Sequence, residues 1–386
     1  MSYQFVTELN KLPENQPVKV EVAGTAMILI RTLTQVRAFQ SKCPHAGAPL
    51  EKGAVCEGRL ICPWHKAEFD IKNGQWLEPL ALTSLKQYPV LLEQNRVMVN
   101  PRPMSPASNP QIRGEKEQTT VIVGTGAAGS AAAITLRDAG YKGRLVLVDK
   151  EDDAPYDRTA LSKFVPAGKM KISDVPHMLD AAFYQQPGVE SLRDEVTDVN
   201  SGEHPITFAG GRELHFDKLL LATGGQPVWP DIEGNHLKGV HVLRDIHQAQ
   251  QLLNDVEREQ QLVIIGNSFI AMELAAALRN QDIDVTVVSR HALPFVPQFG
   301  EEMGRRFLEL HKQNGVKFVT GEPVALEGNG QVKRVQLKNG RTLPANVVVF
   351  ATGVHPSTAL AHDLHREQDG SLTVDETLSA APEEWA

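Results

Sequence analysis

Val121-Ile-Val-Gly124-Thr-Gly126-Ala127-Ala-Gly129 is an apolar run that ends in three glycines spaced G-x-G-x-x-G. The run reads as a buried strand, and the Ala-rich stretch that follows, to Arg137, reads as a helix. A second strand, Leu145-Val-Leu-Val148, completes a βαβ unit. In such a unit the first glycine makes a tight turn, the second lets backbone approach a pyrophosphate, and the third packs helix on strand. The helix N-terminus, opened here by Ala127, then faces the phosphates. Asp149 lies twenty residues after Gly129, where an acid reaches ribose hydroxyls. Lys150 and Glu151 adjoin it, and the sequence leaves open which acid serves.

The same grammar recurs about 140 residues on: Leu262-Val-Ile-Ile265, a small-residue turn, a helix through Leu278, then Val285-Thr-Val-Val288. That spacing is too long for a solenoid and suggests two dinucleotide-binding domains. The second turn reads Gly266-Asn-Ser268-Phe269-Ile270-Ala271-Met-Glu273. Its next strand ends in Ser289-Arg290 rather than in an acid. An acid there would bind a 2′-hydroxyl, whereas Ser and Arg leave room for a 2′-phosphate, which favours NADPH over NADH.

Residues 1–100 have a different character, with short β-rich segments at Val18–Val22, Ala26–Ile30 and Val97–Val99 among Gly, Asn and Pro. Cys43-Pro-His45 and Cys62-Pro-Trp-His65 give C-x-H, sixteen intervening residues, then C-x-x-H. Two thiolates and two imidazoles suit tetrahedral zinc. They also suit a Rieske [2Fe–2S] cluster, in which two Cys hold one iron and two His the other. Zinc modules usually pair like ligands; here each loop supplies one Cys and one His, which favours two irons. Cys56 reads as a small apolar residue rather than a ligand. Four prolines within 101–110 point to an extended linker over 101–118.

Composition is consistent with this reading. The chain has 386 residues, 41% hydrophobic and 22% charged, as in a multidomain globular protein. A net charge of −8 argues against nucleic-acid binding. No apolar stretch approaches a membrane span, and the first residues carry no secretory pattern. Three cysteines cannot frame a disulfide scaffold in a chain this long, which points to a reducing compartment, the cytoplasm.

The stretch over about 1–100 resembles a Rieske domain of the ferredoxin type. Ala154-Pro-Tyr-Asp-Arg158-Thr-Ala-Leu-Ser162-Lys163, with Leu219-Leu-Leu-Ala-Thr223-Gly224-Gly225, extends the resemblance. The chain resembles FAD-dependent pyridine-nucleotide reductases that serve ferredoxins and rubredoxins. Within them it resembles the apoptosis-inducing-factor branch, and there the factor-3-like proteins with an N-terminal Rieske domain. The resemblance implies that the segment around Arg158 and Ser162 wraps a flavin, with Lys163 near its reactive edge. It also implies that Thr223, Gly224 and Gly353 of the two Ala-Thr-Gly segments belong to cofactor binding. Glu273 matches the position beside the nicotinamide and can pair with Lys163. Gly266, Ser268, Phe269 and Ile270 match the NAD(P)H loop, usually GxGxIG, so Ser268 and Ala271 stand where glycines are usual.

The expected fold is therefore an all-β Rieske domain followed by an α/β flavoprotein of the glutathione-reductase type, with two dinucleotide-binding domains. Expected boundaries are 1–100 (Rieske), 101–118 (linker), 119–240 (FAD), 241–354 (NAD(P)H) and 355–386 (return to the FAD domain). The resemblance implies that an Ala-x-Gly-Asp segment and a β-rich domain should come after Leu378. Neither occurs in 386 residues, so either a longer chain or an altered function is expected. With no cysteine after Cys62, reduction of a disulfide substrate is not expected. The expected activity carries electrons from NAD(P)H through FAD to the cluster, then to an unknown one-electron acceptor. The competing readings are a Rieske carrier beside an inert reductase half, a regulatory protein, and the reductase arm of an oxygenase system.

Overall fold

The computed structural model describes residues 3–33, 35–77, 83–104, 118–200, 205–258, 261–362 and 364–380, with backbone only for 257–258. The expected linker falls mostly on 105–117, outside the described residues, as do the last six residues. The chain forms two compact units: Met1–Gln118 with Ala131–Gly143, and Thr119–Ser130 with Arg144–Ala386.

In the first unit, the described residues before 100 form three small antiparallel sheets, with short 3-10 turns at Leu9–Lys11 and Leu50–Lys52. The largest pairs Pro17–Val22, Thr25–Arg31, Val36–Gln40 and Gln87–Tyr88. A second joins Gln4–Glu8, Arg96–Val99 and Val90–Glu93. The third, Ala54–Cys56, Arg59–Ile61 and Glu68–Asp70, frames the second Cys/His loop. One apolar cluster contains Ile28, Ile30, Phe39, Leu50, Leu60 and Phe69 together with both candidate ligand cysteines, Cys43 and Cys62. Cys56, the third cysteine, is exposed at the end of a hairpin next to the turn Glu57-Gly58 (both at positive φ) and lies outside that core.

The second unit holds two parallel sheets. The first runs Val189–Arg193, Arg144–Asp149, Thr119–Val123, Lys218–Leu221. The second runs Val240–Val242, Val347–Phe350, Gln261–Ile265, Asp284–Ser289, Lys317–Thr320. Their central strands are buried and continuously apolar, as strands covered on both faces must be. The two halves repeat one hydrogen-bond scheme. Gly124 N donates to Val148 O and Gly266 N to Val288 O; Ala222 N donates to Val123 O and Ala351 N to Ile265 O (all 2.8 Å). The two Ala-Thr-Gly segments then tie together. Thr223 Oγ1 donates to Ser357 O (2.6 Å) and Thr352 Oγ1 to Val228 O (3.2 Å), beside the short ladder Gly225–Pro227/Val354–Pro356. No described helix is long and apolar enough to cross a membrane.

Candidate functional site

The two Cys/His loops are built alike. Cys43 N donates to Ala48 O and Cys62 N to Ala67 O, both at 2.9 Å. Gly47 N and Lys66 N, four residues after each cysteine, return to that cysteine's carbonyl at 2.8 and 3.2 Å. Both positions are left-handed, φ 73° at Gly47 and 66° at Lys66. A lysine pays a conformational cost there that glycine does not. Lys66→Gly is expected to stabilise this unit by roughly 0.5–1 kcal/mol, net of glycine's extra freedom when unfolded. A denaturation midpoint that fell would refute the shared geometry of the loops.

The loops bring the four ligand candidates together in like pairs. The Cys43 and Cys62 thiols are both buried, and Cys62 is close enough to act on the Cys43 thiol. Burial, then the neighbouring Cys62, pushes Cys43 up to about 11, against the pull of the His45 and Ala46 backbone N–H groups. The His45 and His65 rings meet edge to face at 4.8 Å. Thiol beside thiol and imidazole beside imidazole is the arrangement two irons need, and backbone N–H groups already aimed at sulfur suit a thiolate ligand. The residues fit the cluster. Trp64, 54% exposed, stands edge-on to His65 at 6.3 Å.

In the first dinucleotide loop each glycine has its own reason. At Gly124 (φ 93°) a Cβ would stand 2.3 Å from Ala222 O. At Gly129 it would stand 1.9 Å from Gly124 O. At Gly126 it would meet nothing, leaving open space over the start of the Ala127–Asp138 helix. The neighbouring acids divide their work. Asp149 Oδ2 accepts from Thr125 N (2.8 Å) and Thr125 Oγ1 (2.5 Å), which pins the loop. Glu151 instead binds Arg158 and accepts from Tyr156 Oη at 3.2 Å. Lys150 lies apart, exposed and paired with Glu195 at 3.6 Å.

Arg158 also donates to Arg244 O (3.0 Å), and Tyr156 Oη accepts from Ile246 N (3.0 Å). Burial disfavours the Arg158 cation, but Glu151, Tyr156 and Asp149 together more than offset this and its pKa stands raised. Burial, with Arg158 alongside, lowers the pKa of Arg244, whose guanidinium lies against Gly224. Two half-buried cations beside an open glycine loop and a helix N-terminus fit an anionic pyrophosphate. Sequence reading missed Tyr156 and Arg244. Neither the polar loop around Tyr156 nor Leu243-Arg-Asp carries a motif that would single these residues out.

The structure joins Lys163, Ser162 and Glu273. Lys163 Nζ lies 3.5 Å from Glu273 Oε1, and Ser162 Oγ donates to Glu273 Oε2 at 2.6 Å. Ser162, expected to serve the cofactor, thus contacts the carboxylate. Glu273 stands on the helix Phe269–Arg279, whose N-cap is Ser268. The Ser268 hydroxyl makes no capping hydrogen bond. Ala271 is fully buried and Ile270 packs on the same core, so the third-glycine position tolerates a methyl. Gly266 (φ 126°) faces Ala351 O, from which a Cβ would stand 2.2 Å. Phe269 is exposed beside Phe295 and Phe299. Asn267, also missed, holds the loop by donating to His291 O and Leu293 O. Ser289 Oγ accepts from His291 N (3.1 Å), while Arg290 Nη2 lies 3.2 Å from Glu322 Oε1. Gly353 (φ 114°) follows Thr352 in the second Ala-Thr-Gly segment.

Residues 118–384 match the family described as pyridine nucleotide-disulphide oxidoreductase. The chain belongs to this family. Residues 2–89 match the Rieske [2Fe–2S] domain. Members of the pyridine nucleotide-disulphide oxidoreductase family bind FAD and NAD(P)H, the two groups that the glycine loops suit. Apoptosis-inducing factor 3 of Mus musculus is 31% identical over 367 residues, 92% of this chain and 60% of that protein. The chain therefore spans about three fifths of the length of that relative. The ferredoxin–NAD(+) reductase component of the biphenyl dioxygenase system of Paraburkholderia xenovorans (strain LB400) is 35% identical, covering 69% of this chain and 66% of that one. A covalent putidaredoxin reductase–putidaredoxin complex matches with a TM-score of 0.63 at 26% identity, over 67% of this chain and 64% of that one.

Proposed function

We propose that the chain is an NAD(P)H-dependent FAD and iron–sulfur oxidoreductase of the cytoplasm that delivers electrons to a one-electron acceptor. The observation that carries this reading is the Lys163–Glu273–Ser162 contact. It joins the segment resembling a flavin wrap to the helix that opens the second dinucleotide loop. FAD held here would supply acceptance of one hydride (two electrons) from NAD(P)H and release of those electrons singly, and a cluster held by the two loops would supply one-electron transport.

The chain's own residues position and polarise. Gly124, Gly126 and Gly129 admit the flavin dinucleotide's pyrophosphate, with Arg158 and Arg244 as counter-charges. Lys163 puts a fixed cation where negative charge gathers on the reduced ring. Glu273 holds that cation and is held by Ser162. Ser268 offers its uncapped hydroxyl and helix N-terminus to the NAD(P)H phosphates. Cys43, His45, Cys62 and His65 hold the cluster. Domain boundaries are taken as 1–100, 119–240 and 241–354, with 355–386 returning to the FAD domain.

A second reading, the reductase component of a multi-protein oxygenase system, is favoured by the 35% identity to the biphenyl dioxygenase reductase component. In either case the acceptor is a ferredoxin-type or other one-electron partner. Lys163→Ala is expected to slow flavin reduction by NAD(P)H at least about tenfold while bound flavin is retained. Stopped-flow absorbance at the flavin band checks this, and an unchanged rate would remove Lys163 from the reaction.

A further inference from the structure

The strands Asp284–Ser289 and Lys317–Thr320 run parallel, with Ser289 opposite Thr320. Ligands of such sheets bind beyond the C-terminal strand ends, and the 2′ position of an adenosine ribose is read at the end of the 284–289 strand. Glu322 stands two residues past Thr320, at that same edge. Backbone bonds fix it there. Gly321 N donates to Ser289 O, and Lys338 N donates to Glu322 O (both 2.9 Å). Its carboxylate then takes two cations, one on each oxygen. Arg290 Nη2 is 3.2 Å from Oε1 and Lys338 Nζ is 3.0 Å from Oε2. Lys338 comes from the turn after the strand Val332–Leu337, so three separate segments supply this triad.

We infer that Glu322 decides between NADH and NADPH: it occupies Arg290 and Lys338, opposes a 2′-phosphate, and gives the chain a preference for NADH. The inference rests on the reading of 241–354 as the NAD(P)H domain. Ser289 and Arg290 taken alone favour NADPH, because the sequence shows the cation but not its partner. A phosphate entering here must take Arg290 away from Glu322 and remain close to the displaced carboxylate. Charges this exposed are screened, so the discrimination is modest, about tenfold. With the carboxylate gone, Arg290 and Lys338 become a ready pair of phosphate donors.

The test is calorimetric titration of the flavin-loaded full chain with 5′-AMP and with adenosine 2′,5′-bisphosphate. With FAD bound, neither probe can use the first site. The wild type is expected to favour AMP. Glu322→Gln should shift the affinity ratio about tenfold toward the bisphosphate, less so at 0.5 M salt, and Arg290→Ala in that background should abolish the shift. An unchanged ratio in Glu322→Gln, or a gain that survives Arg290→Ala, overturns the assignment and leaves the NAD(P)H reading standing. Failure of the wild type to bind either nucleotide overturns both.

Discussion

Cys62→Ala is expected to lower iron from about two per chain to near zero and to abolish the cluster's visible absorption. Cys62 is fully buried, its thiol meets Cys43, and it opens the loop closed by the bond from Cys62 N to Ala67 O. An alanine there offers iron no ligand and leaves a small void among Leu60, Phe69 and Ala67. Because ligand binding and folding are coupled, the first unit should also lose roughly 3 kcal/mol or more, most of it from cluster loss. Cys56→Ala is the control, since Cys56 is exposed on a hairpin away from this core. Iron and absorption should survive that change. Full iron content in Cys62→Ala would show that the cluster reading is wrong.

Gly129→Ala should be nearly as damaging to the second unit. The new methyl would stand 1.9 Å from Gly124 O, a distance no methyl can hold from a carbonyl oxygen. Relief requires moving either the helix start at Ala127 or the turn at Gly124, and the turn is itself held against Ala222 O. The expected cost is about 3 kcal/mol, a fall of roughly 6–12 °C in Tm, together with loss of bound flavin. Gly126→Ala separates the two effects. Its Cβ meets nothing in the protein, so the fold should hold while pyrophosphate binding suffers. Flavin content and thermal midpoint, measured on both variants, check this. Equal losses of stability in the two would contradict the distinct roles of the glycines.

Parts of this architecture could be read directly from the chain. The strands at Val121–Val123 and Leu262–Ile265 are buried on both faces, so they appear as unbroken apolar runs before a glycine turn. The four candidate cluster ligands were legible because iron ligation tolerates few residue types and needs two short loops. The strands Ala54–Cys56 and Arg59–Ile61 were not, since three residues each give no period to recognise. Lys66 carried no sign of its left-handed backbone, which the loop imposes. The Tyr156–Ile246 and Arg290–Glu322 contacts link residues 90 and 32 positions apart, and neither pair has a local signature. The substitution of Ser268 for glycine was visible, but not that its hydroxyl is left uncapped.

The central claim is that electrons from NAD(P)H reach both redox centres of one chain. Anaerobic visible spectra of the purified, cofactor-loaded protein, recorded during stepwise addition of NADH and then NADPH, test it most directly. The account predicts that flavin and cluster bands both bleach, and that NADH acts at lower concentration. A cluster spectrum that stays unchanged while the nucleotide is in excess would contradict it.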